Sequence, residues 1–389
     1  MISFFDRDEL KSNMIIMLNN KPCRIINVLG SGTSSIVYRA EMPVCIAGFT
    51  CDRAVVLKEL YPMGLDIGRK DDMSLDIPEI SLIDFRRYTD RFKKACKRQI
   101  QFHNYEKTTN VTTDLQDMYE VNNTLYSVLG IVTGSSYDTD QCETIASILK
   151  VGMCLADCIS QYHKMGYLHL DIKPENIFKE KLTGDNVNIK LFDFDTVSTK
   201  EEVLEGEISY SEGYEAPEVS GSYNGLFSFS DIDERADIYS IGAVIFEKIM
   251  GRVPDFSDQR NGKVWDFSSN SYLKDTVPQL QKKITDLFRK TLARSKENRY
   301  SSADELKDTF EKLIDLLKID IFLKHQRISP CTPKDIYISR ASILSDIAKR
   351  LNEHGILYLY ALGGSGKSET AREYAQQYAD KYDFIQSVF

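Results

Sequence analysis

Short β-like runs of apolar residues, separated by turn residues, occupy the first part of the chain: CRIINVLG, SIVYRAEM, RAVVLKEL and NTLYSVLGIV. From about Glu143 the apolar positions recur with helical spacing instead. The segments are ETIASILKVGMCLADCISQYHKMG, ADIYSIGAVIFEKIM, VPQLQKKITDLFRKTLA and SADELKDTFEKLIDLLKIDIFLK. Strands followed by helices predict an α+β, two-lobed body with a β-rich first lobe and a helical second lobe.

Two stretches interrupt this pattern. Leu60 to Asp90, YPMGLDIGRKDDMSLDIPEISLIDF and its flanks, is rich in Gly, Pro and Asp and reads as a long surface excursion, a mobile contact loop. HQRISPCTPKD, where Pro330 and Pro333 break the helical pattern, reads as an interdomain linker. The expected organisation is a first domain over 1–320, a linker over 321–334 and a partial α/β unit over 335–389.

Composition narrows the function classes. In 389 residues, 49 Lys plus Arg stand against 58 Asp plus Glu, a net charge of −9, which disfavours a binder of nucleic-acid backbones. No run approaches eighteen uninterrupted apolar residues and the start, MISFFDRDEL, has no signal-peptide pattern, so no membrane and a cytoplasmic location are expected. The eight cysteines contain no CxxC pair. Cys154, Cys158 and His163 share helical spacing that could hold a metal, but small apolar side chains on a buried helix face are the plainer reading.

The chemistry-bearing positions follow in order. LGSGTSSIVYRA, Leu29 to Ala40, sets Gly30, Ser31 and Gly32 between two strand-like runs, with Val37 beyond. Glycine there lets backbone amides approach phosphate oxygens, although two glycines also make an ordinary turn. Lys58 ends the next strand, where it can reach the α and β phosphates of a nucleotide. YLHLDIKPENIF then places His169, Asp171, Lys173 and Asn176 on a loop after a long helix. At that spacing Asp171 can accept a hydroxyl proton, Asn176 can hold a metal through its amide oxygen, and Lys173 can neutralise charge on the transferring group. NIKLFDFDTVS ends a strand at Asp193, a hard oxygen ligand suited to Mg2+.

Taken together, residues from about Ile25 to Leu317 resemble the eukaryotic-type protein kinase family, in its serine/threonine class. The resemblance implies ATP and Mg2+, and transfer of the γ-phosphate to a protein hydroxyl, the protein substrate being unidentified. It implies a glycine-rich loop at Gly30 and Gly32, an adenine-holding hinge at Leu129, Gly130 and Ile131, a catalytic base at Asp171 and metal ligands at Asn176 and Asp193. It also implies that SYSEGYEAPE ends an activation segment, with Ser211 near Asp171 and Lys173. Glu218 is then paired with Arg299, and Asp237 anchors the catalytic-loop backbone. Lys173 and Ser211 carry the expectation of serine or threonine as acceptor.

Four departures accompany the resemblance. Leu170 stands where an arginine is usual, so control through a phosphorylated activation loop at that residue is not expected. Asp195 stands in a DFD triplet where glycine is usual, and it should restrict an out-flipped state. No helix glutamate for Lys58 is evident in RRYTDRFKKACKRQIQFHNYEK, where Gln99 and Glu106 are the nearest positions. Ser35 replaces the third glycine of the loop.

Near the end, Ala361 to Ser368 read ALGGSGKS between an apolar strand-like run and a helical one. This matches a phosphate-binding P-loop except for Ala361, with Gly363, Gly364, Gly366, Lys367 and Ser368 as a second nucleotide site. The segment from about Asp335 to Phe389 resembles the start of signal-transduction P-loop ATPases of the STAND type. Such a unit implies a nucleotide-binding switch and self-association. The chain stops at FIQSVF, its second strand, so an incomplete domain is expected. Two rival functions remain beside an active kinase: a nucleotide-gated pseudokinase module, and a chain whose P-loop ATPase is the main activity.

Overall fold

The computed structural model describes residues 7–46, 49–105, 114–132, 134–138, 144–181, 187–206, 208, 210–325, 340–354, 357–360, 362 and 365–378. The chain forms two compact units, residues 1–274 with 285–311, and residues 275–284 with 312–389.

The first unit begins with a β-rich lobe: β1 (Ile15–Leu18), β2 (Lys21–Ser31), β3 (Ser35–Ile46), β4 (Phe49–Leu60), the short β5 (Gly68–Arg69) and β6 (Leu75–Asp76), helix α1 (Glu79–Tyr105), β7 (Leu115–Val121) and β8 (Thr124–Leu129). Six strands make one antiparallel sheet in the order β1-β2-β3-β4-β8-β7. Period-two alternation turns Val55, Leu57 and Glu59 of β4 to a buried face, where Ile36, Tyr38 and Ala40 of β3 join them. Lys58 faces the other way.

The excursion after Leu60 is anchored, which corrects the expectation of a mobile loop. Arg69 forms a bidentate pair with the fully buried Glu59 at 3.0 and 2.8 Å, and the hydroxyls of Tyr38 and Tyr126 donate to the same carboxylate at 2.9 and 2.7 Å. A buried carboxylate tolerates desolvation only when so fully partnered. Ile67 and Leu75 add apolar anchors, and the excursion ends at Pro78 because α1 starts at Glu79.

The helical lobe contains β9 (Ser135–Ser136), α2 (Ile145–Lys164), β10 (Tyr167–Leu168), β11 (Ile177–Lys181), β12 (Val187–Leu191), β13 (Ser198–Thr199), α3 (Lys200–Leu204), α4 (Pro217–Tyr223) and α5 (Arg235–Met250), while α6 (Pro278–Thr291) and α7 (Ala303–His325) are each divided between the two units. Thr144 caps α2 by accepting from the Ser147 amide, and Gly251 ends α5 at φ 73. α2 is long and apolar enough to cross a bilayer by composition, but Ile148, Leu155 and Ile159 are fully buried and the helix packs on α5 and β12. Close packing explains Gly152: a Cβ there would lie 2.5 Å from the Phe310 ring.

α7 runs to His325, with Leu313, Ile314 and Leu317 buried along it. Pro330, Pro333 and Glu106 lie outside the described residues. In the second unit, α8 (Ala341–His354) and α9 (Lys367–Gln377) share a small apolar cluster of Leu344, Ile347 and Tyr374. The strand expected in GILYLY is not formed among the described residues. Tyr358 and Tyr360 are exposed there, and a strand needs a paired neighbour to be stable.

Candidate active site

Strand register gathers the residues of the β-rich lobe. Gly30 pairs with Val37, Val37 with Lys58 and Lys58 with Ser127, one row across four neighbouring strands. Directly opposed residues share a face, so the glycine loop, Val37 and the lysine look onto one surface. A Cβ at Gly30 would meet nothing within 4 Å, and one at Gly32 only the Ser35 carbonyl at 3.9 Å. Neither glycine is demanded by the protein's own packing, so the space beside them is open. Ser31 accepts a hydrogen bond from Arg7, which also reaches the Tyr61 carbonyl at 2.6 Å. Leu129 ends β8, Gly130 donates to the Asp114 carbonyl at 2.9 Å, and Ile131 is exposed.

The catalytic loop of the helical lobe is built around Asp237 at the start of α5. Its carboxylate accepts from the backbone amides of His169 at 2.9 Å and Leu170 at 2.8 Å and lies 2.9 Å from His163 Nε2. Burial opposes its charge, but the His163 hydrogen bond, nearby imidazoles and the His169 amide win and hold it below the usual range. His163 is thereby engaged by a carboxylate. Cys158 is buried, and burial raises the Cys154 thiol to about 11, as core packing predicts.

Asp171 is buried. Its Oδ2 lies 3.1 Å from Lys173 Nζ and accepts from Asn176 Nδ2 at 3.0 Å, while its Oδ1 has no partner among the described residues. Lys173 continues to Ser211 Oγ at 2.5 Å. Asn176 Nδ2 also donates to the Asp171 carbonyl at 2.9 Å, which commits its nitrogen and leaves its amide oxygen as the ligand end.

Lys58 Nζ donates to Asp193 Oδ1 and Asp195 Oδ2, both at 3.1 Å. Burial disfavours the Lys58 charge, yet the two carboxylates raise its pKa above the ordinary lysine range. Within this cluster burial and Asp193 push the Asp195 carboxyl up, whereas Lys58 outweighs burial and holds Asp193 down. Asp193 adopts φ 62 and Leu170 φ 64; Asp195 is absent from the left-handed region, so its position does not demand glycine. Phe194 is buried against Phe102 of α1, Tyr162 of α2 and His169, at ring separations of 5.7, 6.2 and 6.3 Å. This fixes Asp193 facing Lys58. Asp193 and Asn176 offer two oxygen ligands, a number that suits Mg2+ when phosphates complete its shell.

Activation-segment residues lie at the same loop. Arg299 forms a buried bidentate pair with Glu218 at 2.6 and 2.8 Å. Sequence reasoning missed a second link: Arg98 of α1 donates to the Val197 carbonyl and to Glu202, which Lys94 also meets at 2.9 Å. Glu202 closes a capping box with Thr199 at the start of α3. The i, i+4 spacing of Lys94 and Arg98 was the available signal.

A family model for the protein kinase domain matches residues 82–310, more than half of the chain. The chain belongs to the protein kinase family. The match starts after β4, so this kinase's glycine loop and Lys58 are placed by strand register. Among relatives, calcium-dependent protein kinase 4 of Plasmodium falciparum is 28% identical over 266 residues, covering 63% of this chain and 46% of that protein. The probable serine/threonine-protein kinase PknB of Bifidobacterium longum is 26% identical over 225 residues, covering 49% and 31%. The kinase thus spans less than half the length of these curated relatives. Solved structures give the same fold: PpkA-294 in its apo form at TM-score 0.57, 22% identity and 78% and 99% coverage, and the Mycobacterium tuberculosis PknI kinase domain at 0.50, 18%, 79% and 99%.

At the second expected nucleotide site, Gly363 and Gly364 lie outside the described residues. Gly366 precedes α9 at φ 80, Lys367 Nζ donates to the Leu362 carbonyl at 3.0 Å, and Ser368 lies in the first turn.

Proposed function

We propose that this chain is an ATP-dependent serine/threonine protein kinase that moves the γ-phosphate of ATP onto a protein hydroxyl. The observation that carries the proposal is Asp171: one carboxylate oxygen is held by Lys173 and Asn176 and the other is buried with no partner among the described residues. A base so placed can accept an entering hydroxyl's proton, and burial strengthens that hydrogen bond.

The remaining residues position and neutralise. Gly30, Ser31, Gly32 and Val37 would cover the phosphates and purine, Leu129 to Ile131 would border the adenine, and Lys58 would meet the α and β phosphates. Asn176 and Asp193 would hold Mg2+, which supplies charge compensation between the β and γ phosphates. Lys173, shared by Asp171 and Ser211, stands where the transferring group accumulates charge. That contact and the names of the relatives favour an aliphatic hydroxyl.

Labelled ATP and a generic protein substrate, followed by phosphoamino-acid analysis, test the proposal. Label on serine or threonine is expected; label on tyrosine alone contradicts it. The pseudokinase reading drew on the absent helix acid; against it stands the engagement of Lys58 by Asp193 and Asp195 from another segment.

The finer proposal adds a C-terminal nucleotide switch, with self-association through it, in a cytoplasmic setting. Its support is ALGGSGKS and the place of Lys367 at the head of α9. Lys58→Ala should abolish protein phosphorylation, while Lys367→Ala should abolish only ATP binding by the second unit. Unchanged ATP binding after Lys367→Ala would remove the switch.

A further inference from the structure

We propose that Asp195 is a positioning residue that fixes Lys58 and fastens the β2–β3 turn over the phosphate site, a task that α1 does not perform in this chain. The inference rests on the kinase reading above and deepens it.

α1 presents no acid to the lysine. Its described carboxylates are Glu79, Asp84 and Asp90, all in its first half, and among the described residues the ion pairs of Lys58 go to Asp193 and Asp195. The helix instead sets the Phe92 ring 5.8 Å from Lys58 Nζ and buries the Cys96 thiol, raised by burial to about 12. Lys58 is therefore located by the segment that follows β12.

The two carboxylates differ in what else they serve. Asp193 is the oxygen ligand assigned to Mg2+, so it is shared between cation and lysine. Asp195 Oδ2 accepts from Lys58 at 3.1 Å and from Ser34 Oγ at 2.9 Å. Ser34 belongs to the turn between β2 and β3, 161 residues away in sequence. One side chain thereby ties the turn, the β4 lysine and the post-β12 segment together. A glycine at 195 would have no side chain to do so.

Two substitutions separate the two contacts. Asp195→Asn keeps an acceptor for Ser34 but removes the charge facing Lys58; Asp195→Gly removes both. Hydrogen exchange of amides 31–35 in nucleotide-free protein reads the turn, independently of any phosphotransfer. Steady-state kinetics read the lysine.

The expected result is at least threefold faster exchange in Asp195→Gly and exchange within twofold of wild type in Asp195→Asn. Both variants should lose at least tenfold in kcat with KM for ATP changed less than threefold, at an unchanged urea midpoint. Unaltered exchange in Asp195→Gly, or transfer within threefold of wild type in either variant, would overturn the proposal. A wild-type protein that transfers no phosphate would instead refute the kinase reading.

Discussion

Asp237 Oδ1 accepts a 2.8 Å hydrogen bond from the backbone amide of Leu170, and so holds that residue at φ 64. A left-handed leucine costs about 1–2 kcal/mol, so the loop keeps this shape only while something compensates. Asp237→Ala leaves two buried amides unsatisfied. Urea unfolding should show a loss of about 2–4 kcal/mol, and phosphotransfer should fall at least a hundredfold as Asp171 loses its setting.

The Arg299–Glu218 pair makes a prediction with opposite arms. Removing one partner strands a buried charge, so Arg299→Ala should cost about 3–5 kcal/mol. The double variant Arg299→Met with Glu218→Leu should recover most of that loss in the same unfolding measurement, because the charge and its desolvation leave together.

Glu202 is already ionised and already bound to Lys94 and Arg98. Burial opposes its charge, but Lys94, the Thr199 amide and Arg98 keep its pKa below the usual range. With Leu170 in place of an arginine, the prediction is that this carboxylate takes the place of an added phosphate. Phosphatase treatment should leave the transfer rate within twofold, whereas Glu202→Ala should lower it about tenfold. A tenfold loss on dephosphorylation would contradict this.

Acid should destabilise the fold in two stages. His169 is buried and its pKa is lowered chiefly by desolvation, against the pull of Asp237 and Asp171. Below about pH 6.5 the unfolded chain takes up a proton that the folded one refuses, so stability falls as pH falls, by up to about 1.4 kcal/mol per unit. Asp237 and Glu202, both depressed, contribute stability that is present above about pH 4 and lost below it. Urea midpoints at pH 7.5 and 5.5 check the first stage: His169→Phe should flatten the difference.

Most of this site was legible because its residues are close in sequence or fixed by strand alternation. Asp171, Lys173 and Asn176 share one loop, and Gly30, Val37 and Lys58 fall into one row once β2, β3 and β4 pair. What remained hidden depends on tertiary approach. Arg69 reads as a surface residue of a polar excursion, yet it enters the core to meet Glu59. Asp195 reads only as an aspartate where glycine is usual, and its partner Ser34 is on another lobe's hairpin. The P-loop segment shows the reverse: a strong local motif whose expected flanking strand is not formed among the described residues.

The most direct test compares single-turnover transfer by wild type and Asp171→Asn at saturating ATP and Mg2+. Nucleotide affinity should agree within threefold, since the proposal assigns nucleotide contacts to the glycine loop and Lys58 and not to Asp171, while the rate of phosphoryl transfer should fall by about 10²–10⁴. Equal rates would contradict the assignment of Asp171 as the base and, with it, the reading of the site as an active protein kinase.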